Sequence, residues 1–115
     1  NFIPARIAAV LMIAASCLLG MDAKRAFRIY RRDRKKHKSP NAAQTESVMA
    51  GALGVELAGN AWYFGTLHEK PSIGDPQRKI EILDIRRAHR LLYGTSILAL
   101  VLLMGVKGLL IWLLW

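Results

Sequence analysis

The stretch LLYGTSILALVLLMGVKGLLIWLLW, residues 91–115, carries a single charge, Lys107, in an otherwise apolar and small-residue sequence. At 1.5 Å rise per residue a helix of this length reaches about 37 Å, enough to cross about 30 Å of bilayer hydrocarbon. Trp112 and Trp115 near one end, with Tyr93 near the other, are typical of side chains at the two membrane interfaces. The stretch therefore predicts a transmembrane helix over residues 91–115.

A second apolar stretch, IAAVLMIAASCLLGM, lies between Arg6 and Asp22. It is shorter than the roughly 17 to 25 residues that usually span a bilayer, but the stem of Arg6 can snorkel and extend it. A signal-peptide core is disfavoured, because the basic residues follow the apolar run and no cleavage site leads into a secretory sequence. We predict a second transmembrane helix over residues 5–22.

Charge and hydrophobicity are both high, since 53% of the 115 residues are hydrophobic and the formal net charge is +9. This combination fits neither an ordinary soluble domain nor a disordered basic tail. Cations cluster after the first apolar stretch, in residues 24–38, and before the second, in residues 78–90. By the positive-inside rule both clusters lie in the cytoplasm. The predicted fold is an all-α integral membrane protein whose two transmembrane helices flank a mostly helical and irregular cytoplasmic loop, residues 23–90.

The basic run of residues 24–38 has a simple interpretation as a collar attracted to anionic lipid headgroups, worth about 1 kcal/mol per cation near the surface. A nucleic-acid interface is disfavoured because only Phe27 and Tyr30 interleave with the cations. We therefore expect the lipid bilayer, and not nucleic acid, as a partner.

The loop after this run is too apolar for a solvated linker, with Glu46 and Glu56 as its charges over residues 39–65. It predicts a helix over residues 40–57, capped by Ser39 or Asn41. Small residues at four-residue spacing would let another helix approach closely, namely Ala43, Ser47, Gly51 and Val55. Glu46 is either an exposed side chain or a carboxylate that helps to hold Mg²⁺.

The last part of the loop contains two features that predict local structure. Gly74, Asp75 and Pro76 predict a turn, in which Asp75 either bonds its own backbone or serves a site. Asp84 is expected to cap a helix that continues directly into the final apolar stretch. No Walker A or dinucleotide glycine pattern occurs, and neither His37 nor His68 has the partner that a zinc motif requires.

Several short motifs occur in one order: RDRKKHKSPN at residues 32–41, Glu46, AGALG at 50–54, YFG at 63–65, KP at 70–71 and IGD at 73–75. Together they resemble the C-terminal portion of the adenosylcobinamide-phosphate synthases, the CobD/CbiB family of cobalamin biosynthesis. The opening NFIPAR also resembles a family segment that precedes a membrane helix. Because the resemblance covers only the later part of the family's sequence, we expect a fragment of a larger polytopic protein.

The resemblance implies an enzyme, an amide-forming ligase that uses ATP to attach (R)-1-aminopropan-2-ol or its O-phosphate to adenosylcobyric acid. It implies ATP as cosubstrate, Mg²⁺ as metal and no tightly bound cofactor. By charge type, Asp33, Glu46 and Asp75 are expected to serve catalysis and to bind Mg²⁺. The residues expected to bind substrate or phosphate are Arg32, His37, Asn41 and Lys70.

The same resemblance implies a multi-pass protein of the bacterial or archaeal inner membrane, with the two substrates and other cobalamin-pathway enzymes as partners. The residues alone contain no complete catalytic constellation. They leave two alternatives open, a non-catalytic membrane scaffold for corrin-assembly enzymes and a polybasic lipid-binding anchor.

Overall fold

The computed structural model describes residues 2–36, 41–58, 61–68 and 71–115, which are mostly helical. The helices are α1 (Phe2–Leu18), α2 (Ala23–Asp33), α3 (Ala42–Leu53) and α4 (Leu83–Leu114). Between α3 and α4 lie four short strands, β1 (Leu57–Ala58), β2 (Ala61–Tyr63), β3 (Thr66–His68) and β4 (Ser72–Ile73). The expectation of an all-α chain is therefore wrong in detail, because the loop contains two small β-ribbons.

Each ribbon is an antiparallel pair. β1 pairs with β4, and Leu57 lies opposite Ile73. β2 pairs with β3, and Phe64 and Gly65 form the two-residue connection between them. Both residues have positive φ, 52° for Phe64 and 76° for Gly65, which is the conformation of a type I′ hairpin turn. Glycine accepts this conformation without strain, whereas phenylalanine does so at a cost.

The long apolar helix predicted from the sequence is present in α4. This helix has 32 residues, and an 18-residue window within it has a mean hydropathy of 2.5 with no buried residue. It begins at Leu83, so the prediction of one helix running from the basic segment into the apolar stretch is confirmed. Within the described ranges it is the one helix long and apolar enough to cross a membrane. The apolar α1, with 17 residues, reaches only about 26 Å.

The main hydrophobic core joins all four helices. α1 contributes Ala9, Met12 and Ala15, one turn apart on a single face. They are packed in one cluster with Tyr30 of α2 and Leu91 of α4, and with Val48 and Ala52 of α3. The loop helices are therefore fixed to α1 and to the first turns of α4, whereas residues 99–114 of α4 make no contribution to this core.

The contact between α2 and α3 depends on glycine. A Cβ atom placed on Gly51 would lie 2.6 Å from the Cα of Ala26 and 2.7 Å from the carbonyl oxygen of Arg25. The Arg25 side chain also donates from Nε to the Gly51 carbonyl, at 2.7 Å. The predicted role of the small-residue face of α3 in close helix approach is thus confirmed at Gly51.

The ends of α3 and α4 differ from the sequence prediction. α3 stops at Leu53 rather than residue 57, because Gly54 adopts a left-handed conformation with φ 72° and the chain then enters β1. Asp84 is not the N-cap of α4, which is Ile82. Instead, the buried Asp84 accepts hydrogen bonds from the Glu81 amide and from the guanidinium groups of Arg78 and Arg87.

Arg78 connects these two helix ends. Its Nη2 donates to the carbonyl oxygen of Leu53 at 3.0 Å, and the same guanidinium binds the Asp84 carboxylate. Because the last carbonyls of a helix lack partners within it, the cation satisfies one of them and complements the helix dipole. This contact holds the base of α4 beside the end of α3.

Candidate anion-handling site

The candidate site lies where α2 ends and the turn after β4 begins. Arg32 and Asp33 are the last two residues of α2, and Gly74 and Asp75 directly follow β4. Pairing of β4 with β1, just after α3, brings the turn to the end of α2. Two motifs that are 43 residues apart in sequence therefore meet, through the hydrogen bond between Arg32 and Asp75.

Asp33 is the center of the cluster, and its side chain is 0% exposed. Its Oδ1 accepts from Arg32 Nε at 2.8 Å and lies 3.1 Å from Lys36 Nζ. Its Oδ2 accepts from Arg32 Nη2 at 2.9 Å and from the Gly74 amide at 2.7 Å. An ionised carboxylate offers about four lone-pair positions, so these four donors occupy it fully.

These donors decide the ionisation of Asp33. Burial disfavours the charged form, but the hydrogen bonds from Arg32, from the Gly74 amide and from Lys36 outweigh it and lower the pKa to about 2. Asp33 is therefore an anion at neutral pH, held in place by two cations and a backbone amide.

Arg32 bridges the two carboxylates. While Nε and Nη2 bind Asp33, Nη1 donates to Asp75 Oδ2 at 3.0 Å and Nη2 lies 2.9 Å from Asp75 Oδ1. The hydrogen bond to Asp33 and, to a smaller extent, the hydrogen bond to Asp75 raise the pKa of Arg32. The hydrogen bond from Arg32 in turn lowers the pKa of Asp75. Unlike Asp33, the side chains of Arg32 and Asp75 are reachable from solvent, with exposed fractions of 44% and 37%.

Gly74 makes the turn possible. Its φ is 85°, a conformation that favours glycine, and a Cβ atom there would lie 2.5 Å from the Val55 carbonyl oxygen and 2.7 Å from the Ala50 Cβ. The turn thus lies directly against the end of α3 and aims its amide at Asp33. This packing gives the IGD motif a physical role.

The remaining predicted site residues are placed differently. Glu46 lies on α3, is partly buried and makes no ion pair with the part of the chain that the structure describes. Asn41 precedes α3 without capping it through its side chain, and its Oδ1 is buried without a hydrogen-bond partner among the described residues. His37 and Lys70 lie outside the described residues.

The three carboxylates expected to bind Mg²⁺ do not form one metal-binding group among the described residues. Asp33, Glu46 and Asp75 are all described, yet residues 2–36, 41–58, 61–68 and 71–115 contain no group of three or more acidic, His or Cys side chains arranged to hold a metal. Asp33 and Asp75 both bind Arg32 instead.

Sequence reasoning missed two contributors to this region. Lys36 was assigned to the lipid collar, although its position three residues after Asp33 is a usual ion-pair spacing on a helix. The second is a buried chain of hydrogen bonds, from the Tyr30 hydroxyl to Gln44 Oε1 at 2.9 Å and from Gln44 Nε2 to the Arg34 carbonyl at 3.1 Å. No local pattern signals this chain, because its members come from different helices.

The outer face of α2 surrounds Arg32 with positive charge. Ala26, Ile29, Tyr30 and Asp33 face inward. The exposed side chains of α2 and the three residues after its end include Lys24, Phe27, Arg28, Arg31, Arg32, Lys35 and Lys36. Phe27, Arg28, Arg31 and Arg32 line one shallow depression. A surface of this kind attracts anions, whether phosphate groups or lipid headgroups.

Together, fold and site define a mostly helical protein in which a cluster of charged side chains at the end of α2 packs, through the turn after β4, against the end of α3. Arg78 joins the base of the long apolar helix α4 to the same end of α3. A family model described as CobD/Cbib protein matches residues 1–92, and the chain belongs to this family.

Relatives named for cobalamin biosynthesis agree with this assignment. The chain is 45% identical over 107 residues to a protein of Clostridium perfringens named cobalamin biosynthesis protein CobD, covering 93% of this chain and 34% of that protein. The CobD protein of Citrobacter koseri is 48% identical over 111 residues, which are 96% of this chain and 35% of the relative. The CbiB protein of Salmonella arizonae is 46% identical over 107 residues, or 93% and 34%. The chain spans about a third of the length of these curated relatives, and no solved structure matches it.

Proposed function

We propose that the chain supplies the anion-handling part of a cobalamin-biosynthesis ligase of the CobD/CbiB family. In this reaction ATP drives amide formation between adenosylcobyric acid and (R)-1-aminopropan-2-ol or its O-phosphate, giving adenosylcobinamide or its phosphate. The observation that carries the proposal is the cluster in which buried Asp33 holds the exposed guanidinium of Arg32 beside Asp75. All three residues belong to the motifs by which the chain resembles the family.

The chemistry of this reaction requires groups of both signs. Amide formation from a free carboxylate is unfavourable in water, so ATP is expected to phosphorylate the corrin carboxylate with release of ADP. The amine then displaces phosphate from the acyl phosphate to form the amide. Arg32, with the exposed cations of α2, suits phosphate oxygens. Asp75, the exposed carboxylate of the cluster, suits the ammonium group of the amine. Holding these groups in register is a large part of what such a site contributes to rate.

Mg²⁺ normally accompanies ATP, and oxygen ligands such as carboxylates are those that it prefers. The described carboxylates are not assembled for it, and we derive no step through the metal. The assignment of Asp33, Glu46 and Asp75 to Mg²⁺, and of His37, Asn41 and Lys70 to substrate, stays a prediction.

The direct test is synthesis of the product by a purified full-length family protein that carries this region. With ATP, Mg²⁺, adenosylcobyric acid and the aminopropanol phosphate, the amide product is expected by mass spectrometry. Arg32→Ala and Asp75→Asn are expected to lower kcat/KM by about 10²-fold or more, because each removes a positioned charge. Asp22→Asn is the matched control, because Asp22 is the exposed N-cap of the same helix outside the cluster and asparagine is an equally good cap. A wild-type protein that forms no amide would contradict the function, and fully active variants would contradict the site.

We also propose that the protein is membrane-integral, with spans over residues 5–22 and 91–115 and the loop of residues 23–90 in the cytoplasm. The exposed apolar surface of α4 and the cations at its base support this arrangement. In a Cys17→Ser background, Lys35→Cys is expected to resist a membrane-impermeant maleimide in intact bacterial cells and to react in inverted membrane vesicles. Labelling from outside the cell would overturn the topology.

The exposed cations of α2 also favour the lipid-binding anchor as a second candidate function. An anchor needs surface charge alone, so it predicts that Asp33→Asn and Gly74→Ala leave function intact while charge removal at Lys24 and Lys35 abolishes it. The ligase function predicts the reverse in a complementation assay: Asp33→Asn and Gly74→Ala lose function, and the variants at Lys24 and Lys35 keep it. The synthesis assay with purified protein addresses the scaffold, which predicts that amide formation requires added partner enzymes.

A further inference from the structure

We infer that Asp33 is a positioning residue that acts through Arg32 and the Gly74 turn, and that it does not bind metal or substrate itself. The inference rests on the proposed function and refines it, because the sequence motif assigns Asp33 and Asp75 the same role. The geometry separates them: Asp33 is fully enclosed, whereas Asp75 is open to solvent and binds one cation, Arg32, among the described residues.

The first argument is saturation. The donors of Arg32, Lys36 and Gly74 occupy the lone-pair positions of the Asp33 carboxylate. A metal ion or an ammonium group would have to displace Arg32, Lys36 or the Gly74 amide from the carboxylate, and loss of the buried hydrogen bond from Gly74 would be costly. The carboxylate is therefore a structural acceptor and not an open ligand.

The second argument is direction. Arg32 and Asp33 are adjacent on a helix, where neighbours do not normally face each other. Here α2 ends at Asp33, and the guanidinium folds back to bind the carboxylate through two parallel hydrogen bonds of 2.8 and 2.9 Å. Such a paired contact fixes the plane of the guanidinium as well as its position. The Nη1 edge of that plane is directed to Asp75, at the solvent-exposed side of the cluster.

The third argument is the link to the turn. The same Oδ2 that binds Arg32 accepts the Gly74 amide, so one carboxylate sets both the guanidinium and the turn that carries Asp75. Movement of Asp33 would therefore alter both reachable members of the site together. This coupling is what a positioning residue provides and what a metal ligand does not require.

A double-mutant cycle tests the inference in the full-length protein. Asp33→Asn keeps the size of the side chain but offers one acceptor oxygen in place of two. Arg32→Lys keeps the charge but cannot form the paired contact. If Asp33 acts through Arg32, Asp33→Asn lowers kcat/KM by about 30-fold or more in the wild-type background and by about 3-fold or less in the Arg32→Lys background. The Mg²⁺ concentration for half-maximal activity stays within about 2-fold of wild type, and Asp22→Asn changes neither quantity.

Several outcomes would overturn the inference. Independent effects that multiply in the double variant would show that Asp33 acts without Arg32. A rise of about 10-fold or more in the Mg²⁺ requirement of Asp33→Asn alone would make it a metal ligand. If Asp33→Asn does not fold, Arg32→Lys alone still tests the inference. Wild-type kcat/KM in Arg32→Lys would show that activity does not need the paired guanidinium contact through which Asp33 is inferred to act.

Hydrogen exchange separates this inference from the proposed function. Asp33→Asn is expected to speed exchange of the Gly74 amide by about 10-fold or more, while a peptide from the middle of α3 keeps its wild-type rate. Unchanged Gly74 exchange would contradict the positioning role in an active or an inactive protein. Absence of amide synthesis by the wild-type protein, with faster Gly74 exchange in the variant, would contradict the proposed function alone.

Discussion

Gly51→Ala is expected to destabilise the protein, although alanine is the better helix former. α2 and α3 touch backbone to backbone at this residue, where an added Cβ would lie 2.6 Å from the Ala26 Cα and 2.7 Å from the Arg25 carbonyl oxygen. Ordinary contacts between carbon atoms are about 3.5 to 4.0 Å. The two helices would therefore have to separate by about 1 Å, and no side-chain rotation can relieve the overlap because both atoms belong to the backbone.

The expected magnitude follows from two opposing contributions. Replacing a helical glycine by alanine favours folding by about 1 kcal/mol. Overpacking of a close contact costs about 1 to 3 kcal/mol, and the hydrogen bond of 2.7 Å from Arg25 Nε to the Gly51 carbonyl is weakened as the helices part. With about 1 kcal/mol for the weakened hydrogen bond, the net loss in free energy of unfolding is about 1 to 3 kcal/mol.

The assay is unfolding of the full-length protein in detergent, followed by circular dichroism, with two further helical glycines as controls. A Cβ on Gly94 would lie 2.9 Å from a terminal carbon of the flexible Leu19 side chain, and one on Gly105 would meet no atom within 4 Å. Gly105→Ala is expected to be neutral or stabilising, Gly94→Ala intermediate and Gly51→Ala the least stable. Equal stability of Gly51→Ala and Gly105→Ala would refute the reasoning.

Three further predictions concern the site and its support. The pKa of Asp33 is lowered from 3.8 to about 2, so its ionised carboxylate adds at most about 2 kcal/mol to the free energy of unfolding above pH 4, and this contribution is lost as the pH falls toward 2. Unfolding measured across this range should show a loss of stability in the wild type that Asp33→Asn lacks. Tyr30→Phe removes a buried donor from Gln44 and should lower the free energy of unfolding by about 1 to 2 kcal/mol, measured by chemical denaturation. Gly74→Ala should abolish most amide synthesis, because its Cβ would lie 2.5 Å from the Val55 carbonyl oxygen and displace the turn; wild-type kcat/KM would contradict the role of the turn.

Features with a long or regular signal were predictable from the sequence. The apolar stretch of residues 91–115 determines its own helix by length and composition. The four-residue spacing of Ala43, Ser47 and Gly51 predicted a face that another helix approaches, and all three residues are buried. Burial of Ala26, Ile29, Tyr30 and Asp33, which recur at three- and four-residue spacing in α2, agrees with a helix that has one cationic and one inward face.

Features that depend on distant partners were not predictable. The strands of the β-ribbons have two or three residues, which is too short for an alternating pattern to be recognised in the sequence. In addition, β1 pairs with β4, from which it is separated in sequence by the hairpin of β2 and β3. Asp84 has the local signature of a helix cap, but Arg78 and Arg87 provide charged partners that bind it more strongly than the backbone amides of its own helix.

The difference between Asp33 and Asp75 is also invisible in sequence, and it bears on why the cluster exists. Burial of a carboxylate carries a desolvation cost of several kcal/mol, and a well-packed apolar contact of the same volume often stabilises a protein as much or more. Joining the end of α2 to the turn after β4 would therefore not require a charge at Asp33. What an apolar contact cannot do is orient a guanidinium at the surface. Stability alone does not account for the buried carboxylate, whereas presentation of Arg32 does.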